Sequence, residues 1–337
     1  MHSFGIIGAG AWGTALATVI RRAGHDVTIR AHEQSVVQSI NSKHLNDGFL
    51  PGILLDPKIY ATQSYEEAIN NDIILLATPA QFIRPTLTSI SPKLATNTPL
   101  VICSKGIEQT TGKLLSEVVS EVSPYSVTAV LSGPTFADEV AKGLPTAITL
   151  ACEDINKAEN LASIIGTTAF RPYTSSDLLG AQIGGAVKNV IAIACGIVDG
   201  RGLGQNARAS IIARGLAEIG RFGEALNVNP QTLMGLSGLG DLTLTCTSEA
   251  SRNYSVGKKL GEGATPKEIM NNRRSIAEGV HTAPAVITRA TSLGVEMPIC
   301  NAVKTILHDN GDLDITISNV LARPFRLETQ IQQCRNL

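Results

Sequence analysis

Aromatic residues make up only 4% of this 337-residue chain, which leaves little from which to build a stacking platform for single-stranded nucleic acid. Charge is also sparse, at 17%. Lys and Arg number 28 against 29 Asp and Glu, a formal net charge of −1. That balance excludes a broadly basic protein that coats nucleic acid or a membrane surface, while leaving room for a local basic pocket. Six cysteines occur, at 103, 152, 195, 246, 300 and 334, and no two lie within four residues of each other. A zinc or redox CxxC pair is therefore absent and no metal site is expected. Most of the cysteines sit in apolar runs and read as buried free thiols of a reducing cytoplasm. Apolar stretches such as 190–198 reach about ten residues, against the ~20 that a bilayer span needs, so no transmembrane segment is expected. The first residues offer no basic stretch, long apolar run or cleavage site, so no signal peptide is expected either. The expected location is cytoplasmic.

Hydrophobic residues, in contrast, supply 43% of the chain, enough to bury a large core. At roughly 150 residues per domain the length suggests two domains. The 31 glycines exceed the usual ~7% and belong at turns and close backbone approaches.

The first half alternates short β-rich runs (3–7, 26–30, 72–77, 100–103, 127–131 and 146–151) with helical patterns such as 13–24. Several of the runs are continuously apolar, as strands covered on both faces are. Many end in turn chemistry: Thr78-Pro79, Ser104-Lys105-Gly106, Ser132-Gly133-Pro134. Strand, turn and helix in repetition predict an α/β Rossmann-like, doubly wound, mostly parallel sheet. From residue 175 onward strand patterns stop. Helical patterns at 177–197, 207–226, 282–293 and 299–309 predict an all-α C-terminal domain. The boundary falls at 175–185, giving a nucleotide-binding domain over 1–180 and a helical substrate domain over 181–337.

Gly8-Ala9-Gly10-Ala11-Trp12-Gly13 fits GxGxxG and lies between a strand and a helix, the context in which that loop cradles a pyrophosphate. Gly8 permits the turn, Gly10 the approach of the phosphates and Gly13 the packing of helix on strand. An NAD-preferring site carries an acid about 20 residues on, at the end of the second strand. This strand ends instead in Arg30-Ala31-His32-Glu33. Arg30 and His32 suit a 2′-phosphate, so NADP is preferred and NAD tolerated.

The helical half carries three polar features. Lys188 and Asn189 interrupt an apolar helix, where a lysine is costly unless paired or functional. Desolvation lowers a lysine toward a working acid–base range. Asp241, after the glycine-rich turn from Gly235 to Gly240, is the candidate partner of Lys188. Ser251-Arg252-Asn253 opens a helix and combines a hydroxyl, a guanidinium and an amide, a good phosphate site. In the first half Lys105 follows a strand and faces the crevice where such sheets bind ligands.

Taken together these motifs resemble a family. Residues 8–17, Cys103-Ser104-Lys105-Gly106-Ile107-Glu108, and Leu131-Ser132-Gly133-Pro134-Thr135-Phe136-Ala137 are similar to the glycerol-3-phosphate dehydrogenases of the bacterial NAD(P)-dependent type. So are Val187-Lys188-Asn189-Val190, Asn206-Ala207-Arg208-Ala209, Gly238-Leu239-Gly240-Asp241-Leu242, Ser251-Arg252-Asn253 and Glu278-Gly279-Val280. The resemblance implies reduction of dihydroxyacetone phosphate to sn-glycerol 3-phosphate, whose use is phospholipid synthesis. It implies cofactor contacts at Ala11, Trp12, His32, Lys105, Ala137, Arg252, Ile276 and Glu278. Substrate contacts are implied at Lys105, Gly133, Thr135, Lys188, Asp241, Ser251, Arg252 and Asn253, with Lys188 the proton donor and acceptor. Ala11 stands where many relatives carry Ser, and Ile276 where Val or Leu is common. Asn189 is expected near the reacting carbonyl. The helical face at 299–307 offers either a homodimer contact or core. Ketopantoate reductases, 6-phosphogluconate dehydrogenases and 3-hydroxyacyl-CoA dehydrogenases share the layout. A non-catalytic NAD(P) sensor is the reading of another class, and it conflicts with the presence of Lys188, Asp241 and Arg252 together.

Overall fold

A computed structural model describes residues 1–271 and 277–324. Ile276 and Cys334 lie outside the described residues. Eight strands form one sheet: β1 (Ser3–Ile7), β2 (Asp26–Arg30), β3 (Ile59–Thr62), β4 (Ile73–Leu76), β5 (Pro99–Ile102), β6 (Val127–Ser132), β7 (Thr146–Ala151) and β8 (Phe170–Ser175). Their order is β3-β2-β1-β4-β5-β6-β7-β8, and every pairing is parallel except β6 with β7. The connections carry α1 (Ala11–Arg22), α2 (Gln34–Lys43), α3 (Tyr65–Ile69), α4 (Ile83–Ile90), α5 (Leu115–Val122), α6 (Ala137–Lys142) and α7 (Ile155–Ile165).

Burial explains the continuous apolar runs. In β4 all four residues are buried; Ile73 and Leu75 join one core cluster with α1, while Ile74 and Leu76 join another with α4 and α5. Alternate side chains point to opposite faces, and helices cover both. The chain winds one way from β1 to β3 and the other way from β4 onward. The switch point therefore lies between β1 and β4, where such sheets hold their ligands beyond the strands' C-terminal ends.

Two strands lack the expected signal. β3 is only four residues, Ile-Tyr-Ala-Thr, too short for a period to show. β8 carries Arg171 and Pro172 and buries one residue fully. A proline cannot donate to a ladder and is tolerated here because β8 is the sheet edge.

The second half contains α8 (Leu178–Gly200), α9 (Gly204–Ala225), α10 (Pro230–Leu233), α11 (Asp241–Cys246), α12 (Arg252–Gly261), α13 (Pro266–Asn271), α14 (Glu278–Ser292), α15 (Pro298–His308) and α16 (Leu313–Leu321). No strand follows Ser175 among the described residues. Asp177 caps α8, accepting the Gly180 N–H at 2.9 Å. By length and composition α8 suffices to cross a membrane, but 94% of its apolar window is buried in the fold. It is mostly apolar because helices and the β6–β7 part of the sheet surround it. Backbone touches backbone between α8 and α12: a methyl on Gly257 would lie 1.9 Å from the Ile193 carbonyl, and one on Gly196 2.0 Å from that of Tyr254. Ile299, Cys300, Val303 and Ile306 of α15 are core, so a pairing of two chains does not use that face.

Candidate active site

The glycine loop has the shape that its pattern demands. Gly8 has φ 116°, a left-handed-side conformation that side chains resist, and a methyl there would lie 2.8 Å from the Ala77 backbone. A methyl on Gly13 would strike the Gly8 carbonyl at 1.9 Å. Gly10 is different: a methyl there would meet nothing within 4 Å, so its Cα faces open space. Gly10 also stands at the N-cap of α1, which no side chain caps. The first-turn N–H groups, at Ala11 and Trp12 among others, have no acceptor within the helix. This cradle fits a pyrophosphate. The Trp12 indole N–H donates to the Cys103 carbonyl at 3.1 Å, tying the loop to the strand end that carries Lys105.

At the neighbouring strand end, Arg30 closes β2. Its Cζ lies 4.2 Å from the Tyr65 ring centroid and its Nε donates to the Gln63 carbonyl at 3.3 Å. His32 is exposed, and Glu33 is the uncapping N-cap residue of α2, beyond the strand.

Across the crevice the three charged residues singled out by their local context meet. The Lys188 Nζ donates to Asp241 Oδ1 at 2.6 Å and to Thr245 Oγ1 at 2.7 Å. The Lys105 Nζ donates to Asp241 Oδ2 at 2.6 Å and to the Gly133 carbonyl at 2.9 Å. Asp241 is fully buried and Lys188 is 6% exposed. Burial lowers Lys188 to about 8 and Lys105 pushes the same way, against the pull of Asp241. One carboxylate faces two ammonium groups, so the cluster keeps an excess positive charge. Such a cluster favours negative charge developing on a substrate oxygen.

The turn before Asp241 is one wide helical turn, Leu236–Gly240, so Asp241 enters α11 as its first residue rather than as a cap. Asn189 is hydrogen-bonded within the protein. Its Oδ1 accepts from Asn253 Nδ2 at 2.9 Å and its own amide donates to the Gly185 carbonyl at 3.4 Å. Its oxygen ties α12 to α8, while its N–H bonds back within α8. Asn253 Oδ1 in turn accepts the Gly279 N–H at 2.9 Å. The Ser251 hydroxyl caps α12, accepting the Tyr254 N–H at 3.2 Å, and Arg252 is exposed on the first turn. Thr135 donates to the Gly133 carbonyl at 3.2 Å, and Ala137 opens α6. Glu278 Oε1 accepts the Ala80 N–H at 3.3 Å; burial pushes its carboxyl up to about 7 against that bond and Arg252. Glu278 Oε2, with the buried hydroxyls of Thr78, Ser132 and Thr282, has no partner within the protein. These atoms lie packed around the 104–106 loop.

Two residues escaped the sequence reading. Thr245 lies four residues after Asp241 on one helix face, a spacing that would have revealed it. Asn46 donates to the Ala9 carbonyl at 2.9 Å and to Thr14 Oγ1 at 2.7 Å, and so pins the glycine loop; nothing local marks it.

Sheet and cluster define a class: dehydrogenases that hold a nicotinamide dinucleotide on a doubly wound sheet and a small substrate against a helical half. Residues 3–158 match the family NAD-dependent glycerol-3-phosphate dehydrogenase N-terminus, and residues 177–318 its C-terminus. The chain belongs to that family. It is 53% identical over 324 residues to the glycerol-3-phosphate dehydrogenase (NAD(P)+) of Parvibaculum lavamentivorans, covering 96% of this chain and 97% of the relative. Identity is 54% over 326 residues to that of Rhodospirillum rubrum, covering 96% and 93%. The crystal structure of glycerol-3-phosphate dehydrogenase from Coxiella burnetii superposes with a TM-score of 0.92 at 36% identity, covering 96% and 99%. A ketopantoate reductase from Ralstonia eutropha shares the fold alone, with a TM-score of 0.59 at 15% identity.

Proposed function

We propose that Lys188 is the proton donor with which this chain reduces dihydroxyacetone phosphate to sn-glycerol 3-phosphate, using NADH or NADPH. When bound, the reduced nicotinamide supplies the hydride. The observation that carries the assignment is the single buried carboxylate of Asp241 shared by Lys188 and Lys105. An ammonium has three protons to donate. Asp241 and Thr245 take two from Lys188, leaving the third for the substrate oxygen. As that oxygen gains negative charge, Lys188 gives up its proton, and in the reverse direction takes it back. A pKa near 8 suits both directions near neutrality. Lys105 adds positive potential beside it, held in aim by Gly133 and Asp241.

Arg252 and the α12 N-terminus, with Ser251 and Asn253 fixing its first turn, hold the phosphate. Gly133 and Thr135 line the same crevice. On the cofactor side Gly8, Gly10, Ala11, Trp12 and Gly13 take the pyrophosphate, and Arg30 and His32 the ribose end, with NADP preferred over NAD. Ala137, Glu278, Lys105 and Arg252 border the nicotinamide end. A domain division at residue 180 falls in the first turn of α8, just after β8 ends at Ser175. A cytoplasmic setting, with the product passed to phospholipid synthesis, goes with this reading; the five described cysteines are buried free thiols. Self-association as a homodimer needs a surface other than the buried face of α15.

The test is the loss of reduced-nicotinamide absorbance with dihydroxyacetone phosphate, and with unphosphorylated dihydroxyacetone as control. Lys188→Met is expected to lower kcat by about a hundredfold or more. Near-normal turnover in that variant would remove Lys188 from the chemistry.

A further inference from the structure

Resting on the reading in which the glycine loop holds the dinucleotide, we propose that Tyr65 and Gln63 are positioning residues that hold Arg30 ready for the 2′-phosphate of NADP. They thereby set this chain's choice between NADP and NAD. The Gly8 N–H donates to the Arg30 carbonyl at 3.0 Å, which puts Arg30 at the lip of the glycine loop. A ribose whose pyrophosphate lies on that loop reaches the end of β2. The adjacent strand supplies the clamp. β3 pairs with β2 in the register Arg30 with Thr62, so the residues that follow Thr62 come up beside the Arg30 side chain.

Two contacts then fix the guanidinium. The Tyr65 ring covers one face, 4.2 Å from Cζ, and the Gln63 carbonyl accepts from Nε at 3.3 Å. Both partners are neutral, so neither cancels the charge, and the Nη edge remains to grip an anion. The clamp is itself anchored. Tyr65 packs against the core cluster beneath β4 and opens α3, whose N-cap Ser64 accepts the Glu67 N–H at 3.3 Å. The Gln63 amide donates to the His32 carbonyl at 2.8 Å, lacing the two strand ends together.

The chemistry of this arrangement favours a phosphate over a hydroxyl. A ribose 2′-OH is best held by a carboxylate at the end of β2, and the nearest acid in sequence, Glu33, stands at the N-cap position of α2 beyond that end. A guanidinium grips a phosphate through two parallel bonds. Holding it beforehand removes the ordering cost that a loose arginine would carry into binding.

The experiment is calorimetric titration of the full chain with adenosine 2′,5′-bisphosphate and with AMP, alongside KM for NADPH and NADH. Tyr65→Leu is expected to weaken the bisphosphate about two- to fivefold, the size of an exposed cation–π contact, and to leave AMP unchanged. KM for NADPH should rise equally, with KM for NADH and kcat unmoved. Tyr65→Phe keeps the ring and should restore the wild-type values. Arg30→Ala should weaken the bisphosphate about tenfold or more, and Tyr65→Leu should then add nothing. Equal weakening of bisphosphate and AMP by Tyr65→Leu, or no weakening at all, overturns the clamp. An unchanged bisphosphate-to-AMP ratio in Arg30→Ala overturns the phosphate role of Arg30 itself. Wild-type protein that binds neither nucleotide overturns the underlying reading.

Discussion

Removing Lys105 should move the pH dependence of the reaction, because two ammonium groups share one carboxylate. Reduction needs Lys188 protonated, so its rate is expected to fall as pH rises through about 8. Oxidation of glycerol 3-phosphate needs Lys188 neutral, so its rate should rise through the same pH. Lys105 helps to hold that midpoint down. Each Nζ lies 2.6 Å from a different oxygen of Asp241, which puts the two nitrogens roughly 5 Å apart. At an effective dielectric of ~20 their repulsion is about 3 kcal/mol, an upper figure of about two pH units. The Lys105 side chain is 16% exposed, and solvent screens part of this. Lys105→Met should therefore move both limbs upward by about one pH unit. The assay is kcat/KM between about pH 6 and about pH 10 in both directions, where limb position is independent of how much absolute rate the variant loses. Glu278 also titrates in range, near 7, so Glu278→Gln serves as the control that should leave the limb near 8 in place. A limb that stays at its wild-type pH in Lys105→Met would refute the shared-carboxylate argument.

Three further outcomes follow from the same geometry. Asp241→Asn strips two ammonium groups of their common anion and should cost about 3 kcal/mol in chemical denaturation, together with most activity; unchanged stability would mean that the cluster is not held as described. Arg252→Ala should raise KM for dihydroxyacetone phosphate about tenfold or more, with a smaller effect on kcat, and an unchanged KM would take Arg252 out of the phosphate site. Gly257→Ala puts a methyl against the Ile193 carbonyl and should destabilise by about 2 kcal/mol, whereas Gly220→Ala, facing open space on α9, should stabilise slightly; equal melting temperatures would contradict the close α8–α12 contact.

Much of the fold was legible because its signals are local. The glycine loop needs three glycines within six residues, and β4 needs four apolar residues in a row. The capping aspartate at 177 stands directly before the helix that it starts. β3 and β8 were not legible: one is too short to show a period, and the other carries a proline that only its edge position tolerates. The site shows the same division. Lys188 stood out as a charge in an apolar helix, and Lys105 as a cation at a strand end. That both reach the same carboxylate was invisible, and so was the Tyr65 ring beneath Arg30, which depends on the unread β3.

The sequence by itself determined most of the strands and helices, though not β3 and β8, together with where the phosphate cradle sits and which residue types carry the chemistry. Backbone preferences, capping and apolar period act over a few residues, so they are written in consecutive letters. Only the tertiary structure decided what those residues become. Asp241 meets Lys188 across 53 positions and Lys105 across 136. Until the helices close over them these are ordinary hydrated charges. Desolvation and a neighbouring cation, both products of packing, are what bring the Lys188 ammonium down to about 8.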